Sequence, residues 1–189
     1  MSSVRDLGSP NRVVLPVHAR VRFVLVRPHY PENLGASARA LKTMGFSRLT
    51  LVKPSRLCVP EHEMAFKMAV KSWDVLDGVE IVSDLETAVS SAGEVVITTG
   101  RRGVSYVRTP RELGPELAGE ATAGKEIAIL FGNEKTGLSE DEQRLATRYV
   151  RIPMAASQPS INLAQAVQLV AYELFVAALE ARPHTEPGR

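Results

Sequence analysis

The feature that most constrains this chain is a repeated exchange between short β-branched runs and longer stretches of helical periodicity. Val21-Arg22-Phe23-Val24-Leu25-Val26 reads as a strand ended by Pro28 and Pro31. From Asn33 to Gly45 the apolar positions Leu34, Ala38, Leu41 and Met44 fall on one helical stripe that Gly45 closes. The exchange repeats along the chain. Strands are expected at Leu49–Val52, Ile81-Val82, Val95–Thr99, Ile127–Phe131 and Tyr149–Ile152. Helices are expected at Glu61–Ser72, from Ser83 to about Ala92, over residues 111–123, after Ser139, and from Asn162 to about Arg182. Ser83 with Glu86 and Ser139 with Glu142 have capping-box spacing. Ile127–Phe131 is apolar without alternation, as in a strand covered on both faces. Strands regularly separated by helices give an α/β fold: an open, mostly parallel sheet with helices on both faces.

Length and charge narrow the class. At 189 residues the chain suits one domain, taken as residues 20–182. Residues 1–19, with Gly8, Pro10 and Pro16, read as a disordered N-terminal arm, and residues 183–189 as a disordered polar tail. A net charge of +2 means that any nucleic-acid surface must be a local patch. The single cysteine, Cys58, excludes an internal disulfide and a Cys-built zinc site and suits a reducing compartment. No continuous run of 18 apolar residues occurs, and the first 20 residues lack a secretion signal's apolar core. A cytoplasmic protein with no membrane contact is expected.

In open parallel sheets, ligands bind beyond the carboxyl ends of the strands. That rule singles out three loops. Pro28–Gly35 leads into a helix bearing Arg39 and Lys42, whose amide-rich N-terminus suits a phosphate or carboxylate; Asn33 could equally be an N-cap and Gly35 a close-packing residue. Phe131–Leu138 places Gly132 and Gly137 around Glu134 directly after the buried strand, bringing backbone close to a ligand. It is not a phosphate-cradling P-loop, and no G-x-G-x-x-G occurs. The acids at 140–142 are read as helix N-terminal charges. Ile152–Leu163, dense in small residues, can wrap a flat ligand or simply end in a cap at Ser160 or Asn162. The helix that follows is apolar almost all round, which points to a second buried contact or to core packing.

Arg101, Arg102, Arg108 and Arg111, with Arg39 and Lys42, form the candidate patch for contacting nucleic-acid phosphates; the alternative is an exposed basic loop without a ligand. The four histidines have no metal-ligand spacing and no G-x-S-x-G elbow occurs, so no metal is expected.

Taken together, Asn33-x-Gly35-x-x-x-Arg39, Phe131-Gly132-Asn133-Glu134-x-x-Gly137-Leu138, and Ile152-Pro153 followed by Ser160-Ile161-Asn162-Leu163 resemble the three ordered motifs of the SpoU/TrmH RNA ribose methyltransferases of the SPOUT class. The similarity spans about residues 20–180. Asn33–Ala40 and Asn162–Val167, with Tyr172-Glu173, look like the TrmJ-like branch, which methylates the 2′-hydroxyl of the first nucleotide in the tRNA anticodon loop. The resemblance implies a C-terminal trefoil knot, a homodimer pairing through it, and S-adenosylmethionine as cofactor. It implies a cofactor site at Thr98, Thr99, Gly100, Gly132, Ile152, Ser160, Ile161 and Asn162, and an active-site set of Asn33, Arg39, Glu134, Ser160 and Asn162. The same chemistry on ribosomal RNA and a non-catalytic RNA-binding module are the rival readings. TrmJ-like enzymes usually carry a C-terminal helical extension; here a short polar tail ends at Arg189.

Overall fold

A computed structural model describes residues 13–101, 103–155 and 160–182. It contains a seven-stranded sheet in which every pairing is parallel. The strands are β1 (Val21–Val26), β2 (Leu49–Val52), β3 (Glu80–Val82), β4 (Glu94–Thr98), β5 (Val107–Arg108), β6 (Ile127–Phe131) and β7 (Arg148–Val150), in the spatial order β3-β2-β1-β6-β4-β7-β5. The helices are α1 (Pro16–Arg20), α2 (Pro31–Thr43), α3 (Glu63–Ala69), α4 (Trp73–Asp77), α5 (Leu85–Val89), α6 (Pro110–Thr122), α7 (Glu140–Gln143) and α8 (Leu163–Glu180).

Alternation along the central strands sorts their side chains into two cores. Val21, Phe23 and Leu25 of β1 join Ile127, Ile129 and Phe131 of β6 in the larger, together with residues of α2, α6 and α8. Val24, Val26, Ala128 and Leu130 face the smaller, closed by Leu85 and Ala88 of α5 and by Leu138. Both faces are covered, so β6 is buried throughout and shows no alternation in sequence.

Two close approaches set the larger layer. A Cβ on Gly35 would lie 2.0 Å from the Ala65 carbonyl oxygen, so glycine lets α2 pack directly on α3. A Cβ on Gly114 would stand 3.3 Å from both Ala177 Cβ and the Glu173 carbonyl oxygen, which brings α6 against α8. That contact accounts for Gly114 inside α6, a helix that also holds Pro115 and opens with a Thr109–Glu112 capping box.

Several expectations are corrected. Residues 13–19 are not a free arm: Leu15, Val17 and His18 are buried, and α1 lies on the larger core. Residues 1–12, Arg102, 156–159 and the 183–189 tail lie outside the described residues. The Glu61–Ser72 helix breaks at Val70, which takes φ 44°, and resumes as α4. The cap of α5 is Asp84, not Ser83, with its carboxylate accepting from the Thr87 amide at 2.7 Å. Asn33 lies inside the first turn of α2, whose N-cap is Tyr30. β5 falls in the segment read as loop.

Candidate functional site

β1 and β6 are neighbours, so the loops that leave their carboxyl ends meet. Gly132 permits the meeting. A Cβ there would lie 2.4 Å from the Gly137 carbonyl carbon, because the 132–138 loop folds back over it. Gly137 closes that turn at φ 66°, with its amide donating to the Asn133 carbonyl at 2.8 Å. Asn133 Oδ1 accepts from the Lys135 and Thr136 amides at 2.9 and 3.1 Å, and its Nδ2 donates to the Arg27 carbonyl at 2.7 Å.

This turn aims Glu134 at the start of α2. Its carboxylate accepts from the His29 amide at 3.0 Å, from the Tyr30 amide at 3.3 Å and from Asn33 Nδ2 at 2.8 Å. Asn33, buried to 7% exposure, accepts in turn at Oδ1 from Asn162 Nδ2 at 2.9 Å. Asn162 Oδ1 caps α8 by accepting from the Ala164 and Gln165 amides at 3.0 and 3.3 Å. A single hydrogen-bonded chain, Glu134–Asn33–Asn162, therefore joins all three sequence motifs.

Beside it lies a cleft lined by Thr98, Thr99, Gly100, Gly132, Glu134, Ile152, Ser160 and Ile161, with Phe131, Val150, Met154 and Leu163 adding apolar wall. Every residue expected at the cofactor site lines this cleft except Asn162. That side chain lines a second cleft between α2 and α8, together with Ala36, Arg39, Ala40, Met68, Gln165 and Leu169. Ile161 borders both, so the two clefts adjoin. Arg39 is exposed and makes no ion pair among the described residues.

The expected basic patch is divided. Lys42 pairs with Asp74 at 2.5 Å, Arg108 with Glu116 at 2.6 Å, and Arg111 with Glu173 at 2.8 Å. Arg101 and Arg39 are the two members whose guanidinium groups stay unpaired among the described residues.

Arg27 went unnoticed in sequence. It ends β1 at φ 53°, and its guanidinium donates to Glu142 at 2.9 and 2.7 Å and to the Gly137 carbonyl at 3.1 Å. Glu142 is thus more than a helix-end charge. Burial pushes its carboxyl up, but the Arg27 fork and the Ser139 amide outweigh that and hold it below its ordinary range. No periodic pattern marks Arg27; the left-handed backbone that aims it is invisible in residue type. Among the described residues no group of three or more His, Cys, Asp or Glu could hold a metal ion.

The SpoU rRNA Methylase family model matches residues 20–172. The chain belongs to that family. The tRNA (cytidine/uridine/adenosine-2′-O-)-methyltransferase TrmJ of Pseudomonas aeruginosa is 37% identical over 165 residues, 86% of this chain and 63% of its own length. The chain thus spans a little under two thirds of that relative. A methylase family protein from Neisseria gonorrhoeae superposes with a TM-score of 0.81 at 35% identity, covering 95% of this chain and 92% of that one. TrmJ from Z. mobilis superposes with a TM-score of 0.76 at 33% identity, covering 87% and 72%.

Proposed function

We propose that this SpoU-family chain is a cytoplasmic, S-adenosylmethionine-dependent methyltransferase that modifies a ribose 2′-hydroxyl of tRNA in the anticodon loop. The observation that carries the reading is the Glu134–Asn33–Asn162 chain, which joins three motif loops beside a cleft of apolar walls and exposed main chain; Arg39 lines the adjoining cleft. The names of the relatives favour tRNA over ribosomal RNA.

The cleft fits the cofactor. Gly100 and Gly132 leave backbone accessible, Ile152, Ile161 and Leu163 offer apolar surface for a flat ring, and Thr98, Thr99 and Ser160 supply polar contacts. When bound, S-adenosylmethionine supplies an electrophilic sulfonium methyl group. The protein's task is then to hold a poor nucleophile in line and to ease proton loss from it. Arg39 binds the phosphate next to the target ribose; a guanidinium keeps its charge and its planar fork suits phosphate better than proton abstraction. Glu134 is committed to two amides and to Asn33, so it orients the α2 N-terminus. Ser160, exposed at the cleft, is placed to hydrogen-bond substrate.

The knot and the homodimer form part of the same proposal. Leu169 and Tyr172 of α8 are 41% and 46% exposed, and Leu169 lines the Arg39 cleft beside Ala36, Ala40 and Met68. This apolar face suits a second copy of the chain.

Arg39→Ala tests the reading. Methyl incorporation into RNA from labelled cofactor should fall by at least about 100-fold, an interaction worth roughly 2.7 kcal/mol in the transition state, while cofactor affinity measured by calorimetry stays within about twofold. Near-normal turnover in that variant contradicts the assignment.

A further inference from the structure

The segment between β4 and β5 leaves the rim of the proposed cofactor cleft at Gly100 and returns to the sheet at Val107. One residue pins both of its ends. The Arg151 main-chain amide donates to the Arg108 carbonyl at 2.9 Å, and the Arg151 guanidinium donates to the Arg101 carbonyl. Arg151 sits between Val150 and Ile152, which both line the cleft, so the pinned loop is anchored to the cleft wall itself.

This loop exposes Tyr106 almost completely. Its side chain is 98% exposed, the highest value among the exposed large hydrophobic residues, and its backbone takes φ 57°, an unusual conformation for a bulky residue. Folding chemistry does not select such a placement, because the ring contributes nothing to either core. At the start of the same loop Arg101 keeps an exposed guanidinium that makes no ion pair among the described residues, whereas Arg108 is neutralised by Glu116. An outward aromatic ring and an uncommitted cation on one anchored loop form the pairing that single-stranded nucleic acid requires: a face on which a base stacks and a charge for its backbone.

We propose that Tyr106 stacks on an unpaired base of the RNA substrate and that Arg101 contacts the adjoining phosphate. The proposal rests on the RNA methyl-transfer reading and adds to it the residues that hold an unpaired base and its phosphate. A duplex offers no exposed base face; a loop nucleotide does.

The experiment measures binding and methyl transfer with an unmodified tRNA transcript across a salt series, for the wild type, Tyr106→Ala, Tyr106→Phe and Arg101→Ala. Loss of one stacked base corresponds to about 5- to 150-fold in affinity. Tyr106→Ala should therefore weaken RNA binding and raise the KM for RNA by about tenfold or more, with the KM for cofactor unchanged. Tyr106→Phe should stay within about twofold of wild type, since the ring and not the hydroxyl does the stacking. The salt dependence of binding should keep its slope in Tyr106→Ala and flatten in Arg101→Ala, because only the second removes a phosphate contact. Wild-type RNA affinity in Tyr106→Ala, or a Phe variant as weak as the Ala variant, overturns the stacking assignment while methyl transfer by the wild type stands. A wild type that methylates no RNA overturns both.

Discussion

Asn33 carries the heaviest demand at the residue scale, because both ends of its amide are committed: Nδ2 to Glu134 and Oδ1 to Asn162. Removing it leaves a carboxylate and a helix cap each short of a partner, and hydrogen bonds to charged groups are worth about 1.5–3 kcal/mol. Asn33→Ala should lower methyl transfer by about 10- to 100-fold, with a similar loss in Glu134→Gln; a double variant no worse than either single one is expected if the two act as a unit. Additive losses in that cycle would separate them. Cys58 provides a second check. Burial, then the charges of Glu134 and Glu32, push its thiol up to about 12, and its Sγ donates to the Tyr30 carbonyl at 3.5 Å. The native protein should resist a thiol reagent at pH 8 and react fully once unfolded in urea; rapid native labelling would show that the α2 N-terminus opens.

The elements show why part of the site was legible in sequence. The end of an element is visible where residue type and periodicity change together, as after the strand at Phe131-Gly132 and after the helix at Gly45, and the carboxyl ends of the strands then singled out the three candidate loops. Two kinds of information were not. Left-handed backbone at a non-glycine residue, as at Arg27 and Val70, leaves no mark in composition, so the Arg27 clamp and the break between α3 and α4 went unseen. Ion pairing between distant segments is equally silent, which is why the arginines at 108 and 111 read as one free patch when each has an acidic partner. The α1 segment resembles an arm in sequence because five residues are too few for a periodic signal, although its Val17 is fully buried. Two substitutions probe the elements directly. Arg27→Ala should release the 132–138 loop and raise the KM for cofactor several-fold while costing only about 1 kcal/mol of stability, since the pair is partly exposed. An unchanged KM would show that the loop holds its shape unaided. Gly35→Ala drives a Cβ into the Ala65 carbonyl and should lower the melting temperature by several degrees, through overpacking of about 1–3 kcal/mol.

On the scale of the whole molecule, charge and shape work together. Glu126 is held below its ordinary carboxyl range by hydrogen bonds from Arg48, against burial, and by Arg20. Glu120 is held low as well, because Arg148 and Lys125 outweigh a burial effect that pushes it up. Both folded values lie below the ordinary value near 4.5, so the stability they contribute is complete above that pH and is lost as pH falls through the folded values. Thermal melts should therefore be flat above about pH 5 and drop below 4.5, and Glu126→Gln should blunt that drop. An equally steep fall in the variant would place the acid sensitivity elsewhere. α8 is long and apolar enough to cross a membrane by length and composition, yet Leu163, Val167, Ala171 and Leu174 are buried in the larger core, which accounts for that character as a core helix. Its remaining exposed face is where the proposed second copy would sit. Leu169→Glu with Tyr172→Glu should give a monomer by light scattering; a dimer that survives both changes would place the interface on another face. The central claim, ribose methylation of tRNA, is tested most directly by methylating separate pools of unmodified tRNA and ribosomal RNA with labelled S-adenosylmethionine and mapping the labelled nucleotide. The account predicts a 2′-O-methyl mark in the tRNA anticodon loop. Label confined to ribosomal RNA, or none in either pool with cofactor binding intact, would contradict it.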